Sequence, residues 1–141
     1  MSRIYWDTML FIYLLEDHPQ FSSRTREVLE RSYLRSDSLF TSYLALGELM
    51  AGAEKSMNPQ SAREVTDTIR EMGFSYLPFD GGAVAPFSRL RSRQRLKIGD
   101  AIHLACAASA GIDLYLTGDS QLFRLVVPGI QFIADFNAAI L

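Results

Sequence analysis

Five short apolar runs, separated by stretches with helical periodicity, set the pattern of this chain. They are Ile4-Tyr5-Trp6, Ser38-Leu39-Phe40-Thr41, the alternating stretch Phe74–Phe79, Leu114-Tyr115-Leu116 and Ile130-Gln131-Phe132-Ile133. Each is too short for a buried helix and carries the aromatic and β-branched residues that suit a strand. Between them, Leu10, Phe11, Leu14 and Leu15 recur at helical spacing, as do Val28, Leu29 and Tyr33, then Leu46, Leu49, Met50 and Ala53, then Val65, Ile69 and Met72. Strands joined through helices must run mostly parallel, because a parallel neighbour is reached only by a crossover, and the crossover helices cover both sheet faces. The expectation is one α/β domain spanning residues 1–141.

Local signals punctuate these elements. Asp17-His18-Pro19 breaks the first helix, and the second begins at Ser22 or Ser23 as a surface helix. The third frays near Lys55-Ser56, and a fourth starts with Asn58 as N-cap and Pro59 in its first turn, stopping at Gly73. Pro78 places a strand end or a sheet edge nearby, and Asp80-Gly81-Gly82 reads as a turn. A helix over 83–95 is weakened at Pro86, another runs from Asp100 to Ala110 and ends at Gly111, a short one covers Ser120–Leu125, and Pro128-Gly129 turns the chain into the last strand.

At 141 residues, with 48% hydrophobic and 21% charged residues, the chain supports one well-buried core and excludes a disordered design. Fourteen Lys+Arg against sixteen Asp+Glu give a net charge of -2, which excludes a protein that holds polyanions by bulk charge. Any nucleic-acid site must be local. Cys106 is the one cysteine and sits among alanines and Leu104, so it reads as helix interior and fits a reducing cytoplasm. The N-terminus reaches Asp7 before any long apolar run, unlike a secretory signal, and no run approaches the length of a membrane span.

In parallel sheets ligands sit beyond the carboxyl ends of the strands, which singles out Asp7 and Asp119. Each has an ordinary alternative as a helix N-cap. Glu48 lies among small and apolar neighbours, where a carboxylate is costly without a partner, or else occupies the solvent edge of its helix. Asp100, in Ile98-Gly99-Asp100-Ala101, has the N-cap alternative again. Four such carboxylates repel unless a hard divalent cation with oxygen ligands neutralises them, which points to Mg²⁺ or Mn²⁺. Zinc does not fit a lone cysteine with His18 and His103 at no usual ligand spacing. His103, one turn after Asp100, is placed to approach the same site, although a histidine packed on a helix face is the preferred reading.

Tyr5-Trp6-Asp7-Thr8, Glu48 within Leu46–Gly52, Gly99-Asp100-Ala101-Ile102-His103-Leu104-Ala105 and Leu116-Thr117-Gly118-Asp119 together resemble the four acidic motifs of PIN-domain ribonucleases, closest to the VapC-type toxins of toxin–antitoxin pairs. The resemblance spans Ile4 to Phe132 and implies an α/β/α sandwich whose acids converge at the sheet's carboxyl edge. It implies Asp7, Glu48, Asp100 and Asp119 as catalytic residues, with Asp7, Asp100 and Asp119 holding Mg²⁺ or Mn²⁺ and Glu48 binding a second ion or orienting the attacking water. Thr8 and Thr117 are supporting residues, Thr117 matching a hydroxyl able to orient a carboxylate or water. Met9 departs from the small polar residue usual at its position, which puts a hydrogen bond to Asp7 in question.

The resemblance further implies an RNA substrate, cleavage to 5′-phosphate ends, a cognate antitoxin and a homodimer. Arg89, Arg91, Arg93, Arg95 and Lys97, just before Asp100, are the candidate RNA contacts, with Arg89, Arg93 and Lys97 on one helical face and Arg91 and Arg95 on another. Part of that run serves equally as a solvated face. The apolar faces around Leu10, Phe11, Leu14 and Leu15 belong to the core or to an interface. Alternatives are a housekeeping RNA-processing nuclease, a non-catalytic PIN-like binding module, and an aspartyl phosphatase, which lacks its second acid because position 9 is methionine.

Overall fold

The computed structural model describes residues 1–56 and 59–138. Five strands form one sheet in the order β3-β2-β1-β4-β5. They are β1 (Arg3–Trp6), β2 (Ser38–Ser42), β3 (Phe74–Leu77), β4 (Ile112–Thr117) and β5 (Ile130–Asp135), and every pairing is parallel. The chain winds outward from β1 through β2 to β3, then returns to pair β4 against the other side of β1. The order therefore reverses at the β1/β4 boundary, where open parallel sheets leave a crevice at their carboxyl ends.

Six helices connect the strands: α1 (Thr8–Leu15), α2 (Ser22–Arg35), α3 (Tyr43–Lys55), α4 (Pro59–Glu71), α5 (Gly81–Arg93) and α6 (Ile98–Ala110). A three-residue 3₁₀ turn at Ser120–Leu122 stands in place of the longer helix expected there. The N-cap expected at Asn58 lies outside the described residues. Asp80 caps α5 through the Gly82 N–H, so the glycines open that helix rather than precede it.

Strand alternation divides the core into two layers. Ile4 and Trp6 of β1 point to one face, with Leu10, Phe11, Val28, Ile69, Phe74 and Leu116, where the Trp6, Phe11 and Phe74 rings meet at centroid distances of 4.8–5.2 Å. Tyr5 points to the other face with Leu90, Ala101, Leu104 and Tyr115, and its ring stacks on Tyr115 at 4.9 Å. Helices thus cover both faces, which is the α/β/α sandwich expected. Tyr33, aligned with Val28 and Leu29 by periodicity, is instead about half exposed. Its hydroxyl reaches the carbonyl of Met72 at 2.5 Å, tying the end of α2 to the end of α4. Gly129 (φ +99°) starts β5 against α6 so closely that a Cβ there meets the Ala108 carbonyl oxygen at 2.3 Å. Among the described residues no helix is long and apolar enough to cross a membrane.

Candidate active site

Asp7 ends β1 and caps α1, accepting from the Met9 N–H at 3.1 Å. Its second oxygen accepts from the Thr117 hydroxyl at 2.5 Å across the β1/β4 boundary. The N-cap alternative therefore holds for Asp7, which also stands at the carboxyl end of β1. The Met9 side chain leaves no gap in this arrangement, because the Met9 backbone and Thr117 supply Asp7's donors. Burial pushes the Asp7 carboxyl above its ordinary range, against the opposing pull of Thr117, of the nearby His103 and of the backbone donors.

Thr117 also accepts from the Asp119 N–H at 3.1 Å, so one buried hydroxyl fixes both the first acid and the loop carrying the last. Asp119 itself accepts from the Gln121 N–H at 3.0 Å. Between them, Gly118 packs where a Cβ would come within 3.2 Å of the Phe136 ring. A side chain at 118 would therefore require the Phe136 ring to give way by a few tenths of an ångström.

Asp100 does not cap α6. The helix begins two residues earlier, at Ile98, with Lys97 in the cap position and no side-chain cap bond. Asp100 is thereby placed in the first turn, where the helix dipole favours a negative charge. Its carboxyl is nonetheless raised, first by burial and then by repulsion from Asp119, with Glu48 adding to the rise and His103 and Lys97 opposing it. Three acids from α3, α6 and the β4 loop are thus electrostatic neighbours. Asp7, Asp100 and Glu48 likewise all act on the buried Tyr115 hydroxyl beneath them.

Glu48, on α3, differs from the other acids. Its Oε1 accepts from the Thr8 hydroxyl at 2.8 Å and from His103 Nε2 at 2.8 Å, and these bonds hold its carboxyl below the ordinary range despite partial burial. The cationic partner expected for a costly carboxylate is absent from the described contacts, and an imidazole takes its place. Thr8 supports Glu48 rather than Asp7. His103 does lie on a buried helix face, but it also reaches the acids, a role that its i+3 spacing from Asp100 allows and that composition does not reveal.

Among the described residues no three carboxylate, thiol or imidazole groups are already drawn close enough to grip a metal ion. The protein's own donors occupy oxygens of Asp7, Glu48 and Asp119. Burial raises the carboxyl of Asp7, and at Asp100 repulsion from Asp119 and Glu48 adds to the rise from burial. With only oxygen donors on Asp7, Asp100 and Asp119, that chemistry fits a hard divalent cation and not a thiophilic one.

The basic run lies beside this cluster. Gly82, at the start of α5, approaches Ser109 near the end of α6, so the two helices form an antiparallel pair and the end of α5 leads into Asp100. Arg89 and Arg93 line one hollow of α5 with Leu90 and Val127, whereas Arg91 and Arg95 line another with Phe87. The two-faced split expected from helical spacing holds for these four arginines. Lys97, beyond the helix end, is close enough to Asp100 to oppose the rise of its carboxyl.

The PIN domain family matches residues 4–127 of the chain. Comparison with curated protein sequences finds no match. Among solved structures, the chain is similar to one from a DNA-bound VapBC of Salmonella typhimurium, with 25% identity, a TM-score of 0.74, and coverage of 96% of this chain and 99% of that one. It is also similar to a chain of VapBC2 from Rickettsia felis bound to a promoter DNA fragment, at 18% identity and TM-score 0.74, over 94% and 98% of the two chains. A third similar fold comes from VapBC-1 of nontypeable Haemophilus influenzae, at 16% identity and TM-score 0.67, over 96% and 98%. With the family match running from β1 through the acid-bearing end of β4 to the approach to β5, the chain belongs to the PIN domain family.

Proposed function

We propose that this chain is a Mg²⁺- or Mn²⁺-dependent endoribonuclease, the VapC-type toxin of a toxin–antitoxin pair, acting in the cytoplasm. The observation that carries the reading is the set of acids from the β1 end, α3, α6 and the β4 loop, with the Asp100 carboxyl raised first by burial and then by its acidic neighbours Asp119 and Glu48. Asp7, Asp100 and Asp119 would hold the ion. When bound, the ion supplies Lewis acidity to a phosphoryl oxygen and to water. Thr117 keeps Asp7 turned toward the β4 loop, and the ionised Glu48 is suited to accept a proton-bearing water or to hold a second ion. The arginines of α5 and Lys97 offer phosphate contacts on the approach to Asp100.

The toxin assignment is supported by the similarity to chains of VapBC complexes over nearly their whole length. A groove of about 280 Å³ beside Glu48, lined by Ile12, Leu15, Leu49, Ala53 and Val65, suits an apolar segment of an antitoxin. Leu10 and Phe11 are core residues, so of the early apolar positions only those at the far end of α1 remain for such an interface or for a homodimer.

The direct test is incubation of purified protein with single-stranded RNA and Mn²⁺, followed by mapping of the product ends. Cleavage leaving 5′-phosphate and 3′-hydroxyl ends is expected, with Asp7→Asn and Asp100→Asn folded and inactive. Full activity in either variant, or activity unaffected by EDTA, overturns the assignment.

A further inference from the structure

A chain of hydrogen bonds runs from the core of the sheet to the partly exposed Glu48. The fully buried Tyr5 hydroxyl lies 2.6 Å from His103 Nδ1, and His103 Nε2 lies 2.8 Å from Glu48 Oε1 and 3.2 Å from the Thr8 hydroxyl. An ionised carboxylate only accepts, so Nε2 must carry the proton that reaches Glu48. In the neutral ring Nδ1 then accepts from the Tyr5 O–H. The Ser42 hydroxyl oxygen, 3.5 Å from Nδ1, accepts from the Ala45 N–H as it caps α3, and its own O–H remains able to donate to the Tyr5 oxygen, with which it is hydrogen-bonded.

Each link is held from behind. Tyr5 stacks flat on Tyr115, at an interplanar angle of 8°, which fixes the direction of its hydroxyl. His103 stands edge-on to the Tyr5 ring, and it is 5% exposed. Glu48 is the opposite case, with a side chain 45% exposed and three rotatable bonds, so nothing but its partners confines it. Both donors land on Oε1, leaving Oε2 without a protein donor among the described residues. A phenylalanine at position 5 and an aliphatic residue at 103 would fill the same core with no polar group to satisfy. A buried tyrosine and a buried histidine in series, ending on a site carboxylate, have the form of the outer partners that orient active-site ligands.

We infer that Tyr5 and His103 are positioning residues that aim the free oxygen of Glu48 into the acidic cluster, Tyr5 fixing the imidazole tautomer and His103 fixing the carboxylate. This rests on the nuclease reading for its kinetic consequence and on geometry alone for its tautomer.

The test combines Mn²⁺-dependent cleavage of a single-stranded RNA by His103→Ala, His103→Gln and Tyr5→Phe with ¹⁵N NMR of the His103 ring in the full chain. His103→Ala should lower kcat by about tenfold or more with KM within about twofold, and His103→Gln, which restores an N–H donor at the Nε2 position, should recover most of the loss. Tyr5→Phe should fall between wild type and His103→Ala. The wild-type ring should be protonated on Nε2 and bare on Nδ1. Unchanged kcat in a folded His103→Ala variant overturns the inference. A glutamine variant no better than alanine does the same, since the loss then reflects packing. A wild-type ring protonated on Nδ1 alone also overturns it. Absence of RNA cleavage by the wild type refutes the nuclease reading instead, and the ring's tautomer then decides the relay by itself.

Discussion

Asp7 joins a local cap to a long-range contact. It caps α1, receives the Thr117 hydroxyl and is burdened by its own burial, so its carboxyl is raised. A carboxyl raised in the folded state contributes stability below its unfolded pKa and loses it as the pH climbs through its folded pKa. Asp7→Asn should therefore melt a few degrees higher than wild type without metal at pH 7, with the difference vanishing in acid; asparagine remains a good cap. Saturating Mn²⁺ should reverse the order, since binding to the folded state stabilises the protein that binds better. Scanning calorimetry at two pH values, with and without Mn²⁺, checks both statements. Thr117→Val keeps the shape and removes the donor that lowers Asp7. Its pH–rate profile should have an acid limb moved to higher pH and a maximum reduced about tenfold; a limb that stays in place would show that Asp7 does not set it. Asp7 and Asp119 are legible in the sequence because each follows a strand, Asp100 because it lies near a helix start, and Glu48 because its neighbours are small and apolar. Thr117 is legible as a hydroxyl able to orient a carboxylate and His103 as a ring one turn from Asp100, but which acid each one bonds is not, since the bonds of Thr117 to Asp7 and of His103 to Glu48 join residues 110 and 55 positions apart.

Among the elements, those that carry the site were read most faithfully. β1, α1, α3 and the stop at Gly111 match their apolar periodicity and punctuation, because helix and strand periods differ and both ends of each element carry signals. α6 starts two residues before the Asp100 that the sequence favours, because Lys97 and Ile98 carry no capping chemistry and Asp100 does. An aspartate in the first turn rather than at the cap keeps its carboxylate out of the capping bond. Two glycines in α5 look like a turn by composition, yet with Asp80 as cap they begin a helix. The junction of α6 and β5 turns on Gly129, whose φ of +99° and 2.3 Å clearance leave no room for a side chain. Gly129→Ala should cost roughly 2–4 kcal/mol, from backbone strain and overpacking together, measured by urea unfolding. Phe11→Ala, which removes the ring joining Trp6 to Phe74, should cost about 3–5 kcal/mol by the same measure.

For the molecule as a whole, the net charge of -2 averages an acidic edge and a basic hairpin that lie side by side. Replacing Arg89, Arg91, Arg93 and Arg95 by glutamine should weaken RNA binding and flatten its dependence on salt, since each phosphate contact releases counterions. Filter binding across a salt series with the inactive Asp7→Asn protein measures this, and an unaltered slope would move the RNA path elsewhere. The sheet order has a further consequence. β1 is the first strand made, but its partner β4 and the hydroxyl that holds Asp7 come only with residues 112–117, and Asp119 follows them. During synthesis the growing chain therefore carries Asp7, Glu48 and Asp100 with no Thr117 to seat the first acid and with the β4 side of β1 unpaired. The crevice at the β1/β4 boundary, and the seat of Asp7 within it, therefore form only when residues 112–119 have folded back against the beginning of the chain.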